Sequence, residues 1–287
     1  MSKALVLGGG GVAGIAWEVG VIHGLIREGV DLTDADLIVG TSAGSVVGAL
    51  VAAGADLEQA IETQIAAAEA EAEAQRDAAP APAPDPAAAA EAFNVLFDPA
   101  VEPREGRRRV GELALAARNV PTEDRARKVF ERLPIHRWPE RDLKITSVNA
   151  HTGDFVVWDK DSGVPLVRAV ASSCAVPLVF PPVTIGDGRY IDGGVRSPVN
   201  ADLAAGAPSV VILEPLAAVW PRERVQAEID ALGDARVLSV GPDEAALAVF
   251  GTDVLDPGLW GPAFRAGLNQ AASLGDAVRK VWKPDVD

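Results

Sequence analysis

The chain opens with a short apolar run, Lys3 to Leu7, then four glycines, Gly8 to Gly11, then a periodic stretch. In that stretch Ile15, Val19, Ile22 and Ile26 recur at spacings of three and four. The run predicts a strand buried on both faces and the spacing predicts a helix, which Gly29 ends in the manner of a C-cap. Leu37 to Val39 repeats the theme: an apolar run, a glycine–serine turn, and a small-residue helix from Ala43 to Gly54. Asp56 predicts the N-cap of another helix reaching about Arg76, in which Ala66 to Ala74 is almost entirely Ala and Glu. Ala79 to Pro86 alternates Pro with small residues and predicts an extended linker.

Beyond the linker, Phe93, Val95, Leu96 and Phe97 form an isolated apolar cluster with two readings. It docks back onto the core, or it covers the site as a lid or membrane-touching patch. Val110, Leu113, Leu115 and Ala117 continue in a helix. Thr122-Glu123-Asp124 starts another, with Val129, Phe130 and Leu133 on its apolar side. Residues 56 to 140 are therefore expected to form a mostly helical insertion between two halves of a sheet protein. Leu143 to Asn149 and Phe155 to Trp158 predict strands, and Pro165 suits the first turn of a helix through Ser173. Ala171-Ser172-Ser173-Cys174-Ala175, next to Pro177, reads as tight packing beside the site. Val183 to Ile185 and Arg189 to Ile191 flank the hairpin turn Gly186-Asp187-Gly188. Ser209 to Leu213, a helix over Arg222 to Leu232, and Val237 to Val240 make a β-α-β pattern. A last amphipathic helix carries Phe264, Leu268, Val278 and Trp282.

Three stretches carry chemistry. Gly40-Thr41-Ser42-Ala43-Gly44 stands between the second strand and its helix, the pattern of a nucleophile elbow that holds a serine out on a sharp turn. Gly40 and Gly44 leave room where side chains would collide with strand and helix. The glycine loop after the first strand exposes backbone N–H groups that bind an anion or an oxyanion. It also fits a dinucleotide fingerprint, Gly9-x-Gly11-x-x-Gly14. That fingerprint expects an acid at the end of the second strand, whereas Asp34 and Asp36 precede it, so the residues favour an oxyanion hole. Finally Asp192-Gly193-Gly194 places a carboxylate on a tight turn with space around it.

Composition narrows the classes. With 48% hydrophobic residues in 287 the chain can bury a large core, and with only 5% aromatics its helices should pack closely on Ala and Gly. The formal charge, 26 − 41 = −15, argues against nucleic-acid binding. Residues 104 to 144 run the other way, with 12 Lys/Arg against 7 Asp/Glu, or 12 − 7 = +5. They form either solvated helices or a basic surface for anionic lipid or a carboxylate-bearing substrate, the former contact weakening as salt rises. Cys174 is the only cysteine, which excludes an intrachain disulfide and cysteine-based zinc or iron–sulfur sites. As a nucleophile it has no histidine or cation near it in sequence. No run is apolar and long enough to span a bilayer, and the chain is expected to be cytoplasmic, with peripheral membrane contact at most.

The ordered set Gly9-Gly10-Gly11-Val12-Ala13-Gly14, Gly40-Thr41-Ser42-Ala43-Gly44 and Asp192-Gly193-Gly194 resembles the patatin-like phospholipase family. So do Ala169 to Ser173, Val176-Pro177 and Phe180-Pro181-Pro182. The resemblance covers about residues 3 to 215. It implies a three-layer α/β/α sandwich with a mostly parallel central sheet, here one domain over 1–287 with the helical insertion inside it. It implies a Ser–Asp dyad without histidine, with Ser42 as nucleophile, Asp192 as base, and amides of Gly9, Gly10, Gly11, Val12 and Gly14 around the oxyanion. The expected activity is hydrolysis of phospholipid or other lipid esters through an acyl-enzyme, with no cofactor and no metal. Ala13 stands where many members carry Arg or Lys. The alternatives are a dinucleotide-binding oxidoreductase and a non-catalytic lipid-binding member of the same fold. Only His23, His136 and His151 could make a triad, and none follows the last strands where an α/β-hydrolase places its histidine.

Overall fold

The alternation of side chains along the first strand explains the architecture. In the computed structural model, which describes residues 2–74, 86–131 and 133–283, strand β1 (Lys3–Leu7) is buried along nearly its whole length. Leu5 and Leu7 join one apolar core, whereas Ala4 and Val6 join another. Strand β2 (Leu37–Gly40) divides the same way, with Ile38 in the first core and Val39 in the second. Two covered faces require helices on both sides of the sheet, which is the three-layer arrangement.

Helix α1 (Gly11–Arg27) follows β1, and α2 (Ala43–Ala52) follows β2. Four helices come next: α3 (Leu57–Ala74), α4 (Pro86–Phe97), α5 (Pro103–Ala116) and α6 (Glu123–Phe130). The cap residues read from sequence are in place. Asp56 Oδ1 accepts the Gln59 amide at 3.0 Å ahead of α3, and Thr122 caps α6. The expected linker, 79–86, lies outside the described residues but for Pro86. Strands β3 (Asp142–Asn149) and β4 (Phe155–Trp158), helix α7 (Leu166–Ser173) and the hairpin β5 (Val183–Ile185) with β6 (Gly188–Asp192) come after. The chain continues through β7 (Ser209–Leu213), α8 (Arg222–Asp230), β8 (Arg236–Val240), α9 (Glu244–Phe250) and α10 (Trp260–Trp282). Helix α9 has no counterpart in the sequence reading.

The sheet order is β5-β6-β3-β2-β1-β7-β8, with β4 paired to β3. From β3 to β8 the strands run parallel, and β4, β5 and β6 add antiparallel pairs, so the sheet is mixed. Helix α10 packs along α1 at the closeness the glycine content suggests. A methyl group on Gly267 would fall 2.3 Å from the Trp17 carbonyl oxygen, and one on Gly20 2.2 Å from that of Phe264.

One detail of register builds the site. Strand β2 pairs with β3 only up to Gly40↔Ile145. Strand β4 pairs from Ile145 to Val148 and β6 pairs from Ser147 to Asn149. A strand has only two edges, so β6 lies on the same edge of β3 as β2. The two strands run toward each other along that edge and stop with Gly40 opposite Ile145 and Asp192 opposite Ser147. Two residues of an extended strand span about 7 Å. The elbow after β2 and the acid turn after β6 therefore converge.

Candidate functional site

Ser42 sits on the turn between β2 and α2 with φ 52° and ψ −117°. For a residue with a side chain this backbone is strained and persists only if the surroundings fix it. They do so here. The Ser42 amide donates to Ser173 Oγ at 2.9 Å, and its carbonyl accepts from Ser45 Oγ at 2.7 Å and from the Cys174 thiol at 3.3 Å. Gly44 is needed because a methyl group there would lie 2.1 Å from the Leu7 carbonyl oxygen. Burial and the nearby Asp192 carboxylate push the Cys174 thiol well up, so it stays a neutral donor. It acts as a backbone clamp, not a nucleophile.

Asp192 is almost fully buried, and Oδ1 accepts the Gly194 amide at 2.7 Å. Oδ2 has no hydrogen-bond partner. Burial pushes the carboxyl up to about 7, with the neighbouring Ser42 hydroxyl and the Gly194 amide offsetting part of that rise. The hydroxyl is thus close enough to favour the carboxylate, although the two groups do not meet in a hydrogen bond of normal geometry. Such contacts commonly tighten only once substrate is bound. Gly193 lies against Thr146, whose Oγ1 would be 2.1 Å from a methyl group there.

Elbow and acid turn are tied together by residues that local motifs do not expose. Asn200, in the left-handed region at φ 53°, donates to Thr41 Oγ1 at 3.0 Å and to the Ser197 carbonyl at 2.9 Å. Thr41 Oγ1 in turn meets Thr146 Oγ1 at 2.9 Å. Thr41 precedes Ser42, and Thr146 underlies Gly193. Ser173, Asn200 and Thr146 are the positioning residues the sequence reading missed. The only signal was the small polar run 171–175, taken there as packing. Glu18 is a fourth: burial pushes its carboxyl well above the usual carboxylate range, and it accepts the Gly8 amide at 2.8 Å beneath the glycine loop.

The glycine loop needs a correction. Of the expected oxyanion donors, the Gly9 amide is taken by the Pro198 carbonyl at 2.8 Å and the Gly14 amide by the Gly10 carbonyl at 2.8 Å. Both are committed to holding the loop shape. Gly10, Gly11 and Val12 stand at the start of α1, where amides have no partner within the helix. Gly11 has φ 60°, and a methyl group on it would lie 2.7 Å from the Val254 carbonyl oxygen. Asp34 and Asp36, the acids a dinucleotide would need, are at the other end of the sheet. They bind Lys3, through its Nζ at 2.6 Å and its amide at 2.8 Å.

Ser42, Asp192, Gly194 and Gly9 to Gly11 line one cavity of about 330 Å³, within the size range of small-molecule sites. Its remaining wall is apolar, with Ala89, Ala92 and Leu96 of α4 and Val110 of α5 facing Pro177, Leu178 and Trp220. Two residues of the apolar cluster read from sequence stand at the site wall. Leu96 lines the cavity, and the Phe97 ring packs edge-on to Trp220 at 5.2 Å. Among the described residues no histidine lines this cavity. The described residues contain no cluster fit to hold a metal. No described helix is long and apolar enough to cross a membrane. In the basic stretch Arg104, Arg108, Arg109 and Arg127 are each paired with a carboxylate, of which only the Asp154 partner of Arg104 comes from outside the stretch.

A serine on a strand-to-helix elbow thus stands beside a buried carboxylate in an α/β/α sandwich. In comparison with known proteins, residues 5–205 match the model of the patatin-like phospholipases, and the chain belongs to that family. A stretch of 56 residues is 54% identical to the lysophospholipase nte1 of Aspergillus oryzae (strain ATCC 42149 / RIB 40), covering 20% of this chain and 3% of that protein. Among solved structures, VipD from Legionella pneumophila aligns over 96% of this chain and 67% of its own, with 15% identity and a TM-score of 0.46. The type III effector ExoU aligns over 94% and 53%, with 16% identity and a TM-score of 0.31.

Proposed function

We propose that this chain hydrolyses carboxylic esters of lipids through a Ser42–Asp192 dyad and a covalent acyl-enzyme. The observation that carries the reading is the open Oδ2 of a buried Asp192 beside a strained Ser42, at the wall of an apolar cavity. Ser42 Oγ attacks the ester carbonyl carbon as Asp192 takes its proton. The resulting oxyanion is held by the amides of Gly10, Gly11 and Val12, where one such donor is worth about 10²–10³ in rate. Collapse breaks the bond to the alcohol, which leaves with the proton from Asp192. Water then attacks the acyl-serine, giving its proton to Asp192, and the acid departs as Ser42 recovers its hydroxyl. A carboxyl near pH 7 in its titration suits both proton steps better than an ordinary aspartate.

The direct test is labelling by a fluorophosphonate, mapped by mass spectrometry, together with hydrolysis of p-nitrophenyl butyrate. Ser42 should carry the label, and Ser42→Ala should lose at least about 10³-fold in kcat/KM. Hydrolysis that survives Ser42→Ala would refute the reading. A non-catalytic lipid-binding role would gain ground if folded wild-type protein took no label.

A further inference from the structure

A second, smaller cavity of about 40 Å³ abuts the first and shares Leu96 and Val195 with it as walls. Its other lining includes three arginines from separate segments: Arg107 of α5, Arg196 just after the acid turn, and Arg224 of α8. One water needs about 10–15 Å³ of such space, so the cavity suits one compact polar group, not a chain.

The three guanidinium groups are oriented by the protein. Arg196 is fixed by Asp202, at 2.9 and 2.7 Å, and lies over the Phe155 ring at 4.2 Å. Arg107 uses Nε to donate to the Gly153 carbonyl at 2.8 Å, and its two terminal nitrogens have no bond among the described residues. Arg224 donates to the Leu96 carbonyl at 2.8 Å and stacks over Phe97 at 5.0 Å. Neither Arg107 nor Arg224 has a carboxylate within ion-pair distance among the described residues, unlike Arg104, Arg108 and Arg109 nearby. Of the acids around Arg107, Asp154 is held by Arg104 and Glu102 caps α5. Burial and the like charge of Arg196 both pull the Arg107 pKa down, as for a cation lacking its counter-ion.

We propose that the cavity lined by Arg107, Arg196 and Arg224 is a binding site for the phosphate of a phosphate ester, placed beside the ester-cleaving cavity. Arginine forks match phosphate oxygens in pairs, and a half-buried charge without a partner gains most from such an anion. As a headgroup site it rests on the hydrolase reading above, and it makes the preferred substrate a phospholipid instead of a neutral glyceride. The same chemistry would accept a soluble phosphate compound.

Two measurements separate these sources. The first is kcat/KM on monomeric dihexanoyl phosphatidylglycerol relative to dihexanoylglycerol, in wild type, Arg107→Gln and Arg224→Gln. The second is calorimetric binding of inorganic phosphate and glycerol 3-phosphate to the same three proteins, which needs no turnover. A lipid headgroup is the ligand if the phospholipid-to-glyceride ratio falls at least about tenfold in the variants, mainly through KM. A soluble phosphate compound is the ligand if that ratio holds while phosphate binding weakens at least about tenfold. The proposal is overturned if neither quantity moves more than twofold. The exposed Arg224→Gln carries the test should Arg107→Gln fold poorly. Failure of the hydrolase reading would show separately, as absence of dihexanoylglycerol cleavage and of Ser42 labelling.

Discussion

Replacing Asp192 by asparagine should inactivate the protein and at the same time stabilise it, by an amount that depends on pH. The carboxyl titrates near 3.8 in an unfolded chain and at about 7 in the folded one. Folded protein therefore holds the Asp192 proton more tightly than unfolded protein does. The stabilising contribution of the neutral acid is complete below about pH 4, erodes between about pH 4 and 7, and is gone above that. A difference of about 3 units at 1.36 kcal/mol each gives about 4 kcal/mol of destabilisation at pH 8 from keeping the charge buried. Asparagine fits the same space, can still accept the Gly194 amide through Oδ1, and carries no charge. Thermal unfolding from pH 4 to 8.5 should show the two proteins within about 1 kcal/mol at the acid end. At pH 8 the variant should melt about 8 °C higher, at about 2 °C per kcal/mol for a domain of this size. Glu18 and Glu228, also raised by burial, cancel in the comparison because both proteins retain them. Parallel melting curves across the range, or a wild type that gains on the variant as pH rises, would refute the account of Asp192 as a carboxylate charged at the expense of stability.

The proposed role of the same group also predicts a rate profile. With Asp192 as base, kcat/KM for a p-nitrophenyl ester should climb with pH and reach half its plateau at about 7, whereas a plateau already complete at pH 5.5 would remove Asp192 from that role. Asn200→Ala should cost about 1–3 kcal/mol in urea unfolding, because Thr41 Oγ1 and the Ser197 carbonyl lose their buried donor. It should also lower kcat more than it raises KM, since elbow and acid turn lose their shared tie. Unchanged kcat in a destabilised variant would make Asn200 a merely structural residue.

Much of this site was readable because its residue types are demanded locally. Gly44 has no space for a methyl group, Ser42 needs a sharp turn, and Asp192-Gly193-Gly194 is a tight corner, so each leaves a mark within a few positions. Strands β1 and β7, buried on both faces, were legible to the residue for the same reason. Ser173, Thr146 and Asn200 act on the elbow from 131, 105 and 159 positions away, and no periodicity marks such a partner. Gly9 and Gly14 look identical to Gly10 and Gly11 in sequence. What separates them is that Pro198, near the acid turn, and the first turn of α1 take their amides. Helix α9, seven residues between Asp243 and Gly251, is too short to show a period. Arg107 was read as one charge among twelve in a basic stretch, and only folding separates it from its paired neighbours.

The meeting of β2 and β6 on one edge of β3 gives that strand the character of a ruler. The spacing between serine and aspartate is counted out in the residues from Ile145 to Ser147, not in the chain that joins them. Everything from α3 to α6 enters and leaves between β2 and β3 without altering the count. That segment can be lengthened, trimmed or exchanged for another while the serine and the aspartate keep their separation, whereas one residue added between Ile145 and Ser147 would throw them out of step. The scaffold thus offers a replaceable cassette over a fixed gauge, a route by which the proposed hydrolytic centre would be refitted to different esters.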